Sequence, residues 1–259
     1  MWLNEDDPIH KRDLFFSKPF VNSPGTLGFA PDPHKMPVIA NLGVFITHPI
    51  SRKPQQPASN RASIPFSGGF LLHTGLPNPG ITRTISWYKC AWAGAALPII
   101  VHLLVEDPGS LAEMIRKLEG LENVMAVELG LPPNCDPDAL RSLMDAAIGE
   151  LPIIPCVSPD QIPVLRETLL ALNPTAVHLV EPRGVLPDEA GNLITGRLCG
   201  PGIFPTMLHA SRELLDVSFP LIVNGGMNSK LQADTFLNAG VTALGLGSVL
   251  WQLKQAFLA

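Results

Sequence analysis

Two stretches near the C-terminus, PLIVNGGM (residues 220–227) and ALGLGS (residues 243–248), decide how this chain is read. Each is a short apolar run that breaks off in glycines. Runs of this kind are typical of strands buried on both faces, as in a parallel sheet covered by helices. Working back toward the N-terminus, similar runs occur at 43–47 (GVFIT), 69–73 (GFLLH), 98–104 (PIIVHLL), 124–130 (VMAVELG), 152–157 (PIIPCV) and 176–181 (AVHLVE), which makes eight candidate strands. Amphipathic helical stretches separate the later ones, at 107–120, 136–148, 160–172, 205–215 and 229–239. The first places Leu111, Met114, Ile115 and Leu118 at helical spacing and stops on Gly120.

Strand–helix alternation predicts an α/β fold, and eight strands predict a closed (β/α)₈ TIM barrel in a single domain. The expected boundaries are an N-terminal extension over 1–19 and the barrel over 20–259. Residues 51–68 are polar with three prolines and read as a loop over the barrel mouth. At 259 residues, with 46% hydrophobic and 16% charged side chains, the chain is able to bury a large core. A net charge of −5 and the absence of a basic stripe argue against nucleic acid as a partner. The four cysteines are widely spaced and form no C-x-x-C pair, so free thiols are expected. Residues 1–13 are polar and unlike a signal peptide, and no apolar run approaches the ~20 residues that span a bilayer. The expectation is a cytoplasmic protein with a small-molecule substrate and no membrane partner; a homodimer is left open.

Chemistry in such a barrel sits where strands end and loops begin. The turns after the last two candidate strands carry Gly225-Gly226 and Gly247-Ser248. Backbone N–H groups approach a phosphate closely only where side chains are absent, so these turns are the expected phosphate site. Residues 196–201 (GRLCGP) would add a third glycine turn at Gly200.

With those residues in place, the chain resembles the dihydroorotate dehydrogenase family, flavin enzymes of pyrimidine biosynthesis, from about residue 20 to 250. Residues 21–28 (VNSPGTLG) resemble the turn under the flavin, and 43–51 (GVFITHPIS) the first barrel strand. The stretch 75–80 (GLPNPG) is a specific match to the substrate loop, and 127–134 (VELGLPPN) resembles the segment carrying the catalytic base. The resemblance implies a flavin mononucleotide (FMN) oxidoreductase converting dihydroorotate to orotate. It also implies cofactor contacts at Ser23, Gly25, Thr47, His48, Gly200, Gly225, Gly226, Gly247 and Ser248, with substrate contacts at Gly75, Leu76 and Asn134.

The sequence departs from the family at the chemistry itself. His48 stands where the family has a flavin-contacting lysine, Cys156 where it has a second, and Leu72 where an asparagine precedes the substrate loop. The base position falls on Pro133, the asparagine of that segment on Gly130, and the asparagine–threonine pair after the sixth strand on Glu181-Pro182. Proline has no titratable group, so Cys135, two residues on, is the candidate displaced base. Dihydroorotate oxidation is therefore expected to be very weak. Two alternatives stay open: a non-catalytic flavin- or phosphate-binding partner subunit or sensor, and a metal-assisted barrel lyase or hydrolase. His48, His73, His102, His178, Glu128 and Glu181 lie on or after strands, but no H-x-H or H-E-x-x-H spacing occurs and no metal site is expected. His102 and His178 read as satisfied barrel residues. Trp87 and Trp92 read as helix packing, and Arg61 and Arg83 as solvent-facing.

Overall fold

The computed structural model describes residues 14–215 and 219–251. Eight parallel strands form its main sheet: β1 (Phe20–Asn22), β2 (Phe45–Ile46), β5 (Ile99–Leu104), β6 (Val124–Gly130), β7 (Ile153–Val157), β8 (Val177–Leu179), β11 (Leu221–Asn224) and β12 (Ala243–Leu246). Their order, β1-β12-β11-β8-β7-β6-β5-β2, becomes a ring through a parallel bridge between Val21 and Val44. The fold is a (β/α)₈ barrel. Its helices are α1 (Ile81–Ala93), α2 (Pro108–Leu118), α3 (Pro137–Ala146), α4 (Ile162–Leu172), α5 (Phe204–Arg212) and α6 (Lys230–Asn238).

The remaining strands, β3 (Ala62–Phe66), β4 (Gly69–His73), β9 (Arg183–Pro187) and β10 (Leu193–Cys199), form a separate antiparallel sheet ordered β3-β4-β10-β9. Two hairpins build it, one inserted after β2 and one after β8. This corrects the strand assignment. Residues 69–73 belong to the second sheet, and the barrel's eighth strand is Phe20–Asn22, of which the resemblance placed 21–22 in the turn under the flavin. Three residues are too few to show a period. Residues 62–66 are likewise a strand and not loop. The 1–13 part of the expected extension lies outside the described residues, whereas Leu14 and Phe16 pack on the barrel's inner core.

Local chemistry starts the helices where the periodicity placed them. Asp107 and Asp136 cap α2 and α3 by accepting from Ser110 N–H at 2.9 Å and Ala139 N–H at 2.8 Å, each followed by a proline at the first turn. Apolar residues alternate between two cores. One packs strands against helices and includes Leu111, Met114 and Leu165. The other fills the barrel with Val21, Val44, Ile46, Ile100, Ala126, Ile154, Ala176, Ile222 and Ala243. Two residues farther along β5, β6, β7, β8 and β11, period-two alternation again points inward, and the side chains are His102, Glu128, Cys156, His178 and Asn224. The barrel therefore has an apolar layer and, toward its C-terminal end, a polar one.

Candidate active site

The polar layer is a hydrogen-bonded chain. Glu128, fully buried, accepts from His102 Nδ1 at 3.0 Å and from His178 Nδ1 at 2.5 Å. His178 Nε2 meets Asn224 Oδ1 at 2.8 Å, and Asn224 Nδ2 donates to Glu181 Oε2 at 3.2 Å. Glu181 in turn pairs with Arg197 Nη1 at 3.5 Å. Both His178 nitrogens face oxygen acceptors, which suits an imidazolium. Although burial opposes it, the Glu128 charge raises the His178 pKa. Against its own burial, Glu128 is lowered to about 2 by the His178 charge and by the two imidazole hydrogen bonds. His102 goes the other way, because its burial outweighs Glu128 and favours the neutral ring. Cys156 Sγ lies 3.9 Å from His102 Nδ1, and burial beside Glu128 keeps it a thiol. The layer thus favours a Glu128 carboxylate paired with the protonated form of His178, beside a neutral His102 and a Cys156 thiol, with the Glu181–Arg197 pair at its edge. Ligand atoms of His102, Glu128 and Cys156 lie within 4.8 Å of one another, a convergence that sequence spacing did not show.

Two glycines make room for this layer. A Cβ on Gly245 would lie 1.4 Å from Asn224 Oδ1, and one on Gly130 would lie 2.6 Å from His102 Nε2. Gly130 occupies the position where the resembled family carries an asparagine. The His102 ring fills the space beside it, so a side chain at 130 and the present position of that ring exclude each other.

Above the layer lies a cavity of about 560 Å³, within the roughly 300–1,000 Å³ common for ligand pockets. One wall is Ser23, Gly25 and His48; the other is Leu72–Pro77 together with Arg183, Thr195 and Arg197 from the antiparallel sheet. Glu181, Gly247 and Ser248 line it and also line a narrow cleft with Gly200, Gly225, Gly226 and Gly245. Two buried polar atoms have no hydrogen-bond partner among the described residues, Ser23 Oγ and His48 Nδ1, and both residues line the cavity. His48 sits edge-on to Phe29 with ring centroids 5.1 Å apart, and burial lowers its pKa toward the neutral form.

Asn78 holds the 75–80 loop in place. Its Oδ1 accepts from Ser51 N–H at 3.1 Å, Ser51 Oγ at 2.9 Å and Gly80 N–H at 2.9 Å, and its Nδ2 donates to the Leu76 carbonyl at 3.0 Å. Gly75 and Leu76 are thereby presented to the cavity, Leu76 with φ 50°.

Other expected site residues are elsewhere. Thr47 is fully buried, and its Oγ1 accepts from the His102 N–H at 3.1 Å without lining the cavity. Pro133 and Asn134 are exposed and outside the cavity wall. Cys135 is buried in the strand–helix core, where desolvation raises its pKa, so it does not reach the cavity either. The Pro132 carbonyl accepts from Gln161 Nε2 at 2.8 Å, which ties that loop to the turn after β7. Trp92 is buried and donates to the Phe29 carbonyl at 2.7 Å, a packing role, while Trp87, Arg61 and Arg83 are exposed. Sequence reading missed Arg183 and Arg197. The available signal was two alternating segments flanking 188–192 (DEAGN), which is a hairpin pattern.

No family model matches the chain. Among curated proteins it is 25% identical to the dihydroorotate dehydrogenase B (NAD(+)) catalytic subunit of Trichlorobacter lovleyi, over 91% of this chain and 84% of that one. It is 28% identical to dihydroorotate dehydrogenase A (fumarate) of Lacticaseibacillus paracasei, over 92% and 90%. Among solved structures, DHODH of Eimeria tenella in complex with ferulenol superposes with a TM-score of 0.76 at 14% identity, over 99% of this chain and 83% of that one.

Proposed function

We infer, from the premise that this chain is a divergent member of the dihydroorotate dehydrogenase family, that it binds FMN in the cavity and acts as an oxidoreductase on a small molecule for which dihydroorotate is a poor stand-in. The observation that carries this reading is the pair of orphaned atoms, Ser23 Oγ and His48 Nδ1, in the wall of a cavity that shares Glu181, Gly247 and Ser248 with a glycine-lined cleft. A buried polar group left unpaired costs about 1–3 kcal/mol, so a protein that keeps two in one wall is built for a polar ligand. The residues present fit a flavin nucleotide where cavity and cleft meet: backbone at Gly247 and Ser248 for its phosphate, Ser23 and His48 for its polar edges. Bound flavin supplies hydride acceptance and donation.

The protein's own residues then define what chemistry is supported. Ser23 and His48 each offer one hydrogen bond from the β1–β2 side, and neutral His48 donates or accepts according to its tautomer. Glu181 places a carboxylate at the junction of cavity and cleft, braced by Asn224 and Arg197. Leu72 offers no hydrogen bond where the resembled family has an asparagine. Neither Pro133 nor Cys135 reaches the cavity, so the segment that carries the family's base contributes none. General base catalysis commonly contributes ~10²–10⁴-fold, and its loss at that segment favours a substrate other than dihydroorotate.

The test is optical. Purified protein, as isolated or after FMN titration, is expected to show a flavin spectrum with one FMN released per chain on denaturation. A colourless protein that leaves FMN fluorescence unchanged would overturn the reading. A cytoplasmic location and a homodimer belong to the same proposal, and sedimentation reads the second.

A further inference from the structure

Arg183 and Arg197 are direct register partners on the antiparallel strands β9 and β10, so their side chains leave the sheet on the same face. Both line the cavity. Like charges placed directly opposite each other across a strand pair repel, and the arrangement persists where something negative lies between them or where function keeps it. Within the cavity wall the negative partner is Glu181, and it reaches only Arg197, at 3.5 Å. Arg183 forms no ion pair within 4 Å among the described residues. The other titratable groups of the wall are His48, His73 and Cys199. Burial lowers the His48 pKa toward the neutral ring and pushes the Cys199 thiol up to about 12, so neither adds negative charge. Asp160 acts on Arg183 from the turn after β7 but is not part of the cavity wall. Two guanidinium groups therefore face one carboxylate, which leaves the cavity roof one negative charge short.

We propose that Arg183 and Arg197 form a clamp for an oxyanion, a carboxylate on the cavity's small-molecule ligand, and so select anionic over neutral ligands. The geometry suits the chemistry: guanidinium forks bind carboxylates in two parallel hydrogen bonds. Arg197 already holds Glu181 and is oriented by it, with 29% of its side chain exposed. Arg183 is exposed at the cavity rim and free to close on an incoming anion. The clamp comes from β9 and β10 of the antiparallel sheet, where Leu72 on β4 is the register partner of Arg197, whereas Gly130 and Pro133 lie on or just after β6. It deepens the proposed function by naming the chemistry of the ligand, and it stands whether or not FMN is the cofactor.

The experiment is calorimetric titration of the purified chain with orotate and with uracil, a planar probe pair that differs by one carboxylate. Orotate is expected to bind more tightly than uracil, and added salt should weaken orotate alone. Arg197→Ala and Arg183→Gln should each weaken orotate by roughly tenfold or more, the loss of one charge-assisted contact, and leave uracil within about twofold. Arg197→Lys should recover only part of the loss, because a point charge replaces a fork. Should Arg197→Ala fail to fold once Glu181 is unpaired, Arg183→Gln, at an exposed position without an ion pair, still decides the matter. Wild-type binding of orotate no tighter than uracil, or unchanged orotate binding in Arg183→Gln, would overturn the clamp. Flavin content is read separately by absorbance, so failure of the clamp and failure of the cofactor reading are distinguishable.

Discussion

Replacing Glu128 by glutamine keeps the shape of the side chain but removes the anion that His102 and His178 share. Its carboxylate is fully buried and accepts from two imidazoles, and those contacts hold it at about 2 against an ordinary 4.5. At ~1.4 kcal/mol for each pH unit, that difference is worth roughly 3 kcal/mol. Removing one partner of a buried pair typically costs about 3–5 kcal/mol, which agrees. Glutamine also turns an acceptor into an NH₂ donor facing an imidazole N–H. For a chain of this size, roughly 2–4 °C per kcal/mol puts the drop in Tm at about 6–20 °C.

The pH dependence follows from the same groups. Glu128, with its pKa lowered, contributes stability that is present above 4.5 and is lost as pH falls toward about 2. His178, with its pKa raised, contributes stability that is present below 6.5 and is lost as pH rises through its folded value. The gap between wild type and Glu128→Gln should therefore be widest between pH 4.5 and 6.5 and narrow on both sides. Urea unfolding across that range measures it. A gap below about 1 kcal/mol, or one independent of pH, would refute the account of the polar layer.

Ser23→Ala should stabilise the unliganded protein by about 1 kcal/mol, since it deletes an orphaned buried hydroxyl, and should weaken FMN; a calorimetric scan and a flavin titration read the two opposite effects. Gly226 has φ 63°, and an added Cβ would lie 2.5 Å from the Gly200 carbonyl, so Gly226→Val should cost more than about 2 kcal/mol in the apoprotein, as urea unfolding would report. Gly247→Ala, which meets only side-chain ends of Glu181 and Ser23 beyond 3 Å, is the cleaner probe of the cleft and should lower FMN affinity while Tm holds. Dihydroorotate turnover by FMN-loaded protein with a quinone, fumarate or dye acceptor should stay below ~1 s⁻¹, and Cys135→Ala should leave it unaltered. Of the four thiols only exposed Cys90 should react quickly with a disulfide reagent in the native state, by absorbance, because burial raises Cys135, Cys156 and Cys199.

Sequence by itself determined the fold class, because burial on both faces writes itself as uninterrupted apolar runs such as 152–157 and 220–224, and amphipathic spacing marks helices such as α2. It also determined that the loops carrying His48 and Gly247 meet, since the C-terminal ends of parallel barrel strands share one rim, whereas Gly75 reaches the same cavity from the second sheet. Three-residue β1 carried no period, and 69–73 looked like its neighbours, so one barrel strand was exchanged for a strand of the second sheet. Only the tertiary structure decided the chemistry. The Glu128–His178–Asn224–Glu181 chain joins residues up to 96 positions apart in sequence, and its members look like ordinary strand polars until the barrel closes. The Arg183–Arg197 pairing depends on hairpin register, which neither residue reveals alone. Cys135 shows the converse: two residues from the expected base in sequence, it is turned into the strand–helix core by the Pro132–Asp136 turn, and its neighbours in space, not in sequence, determine what it is able to do.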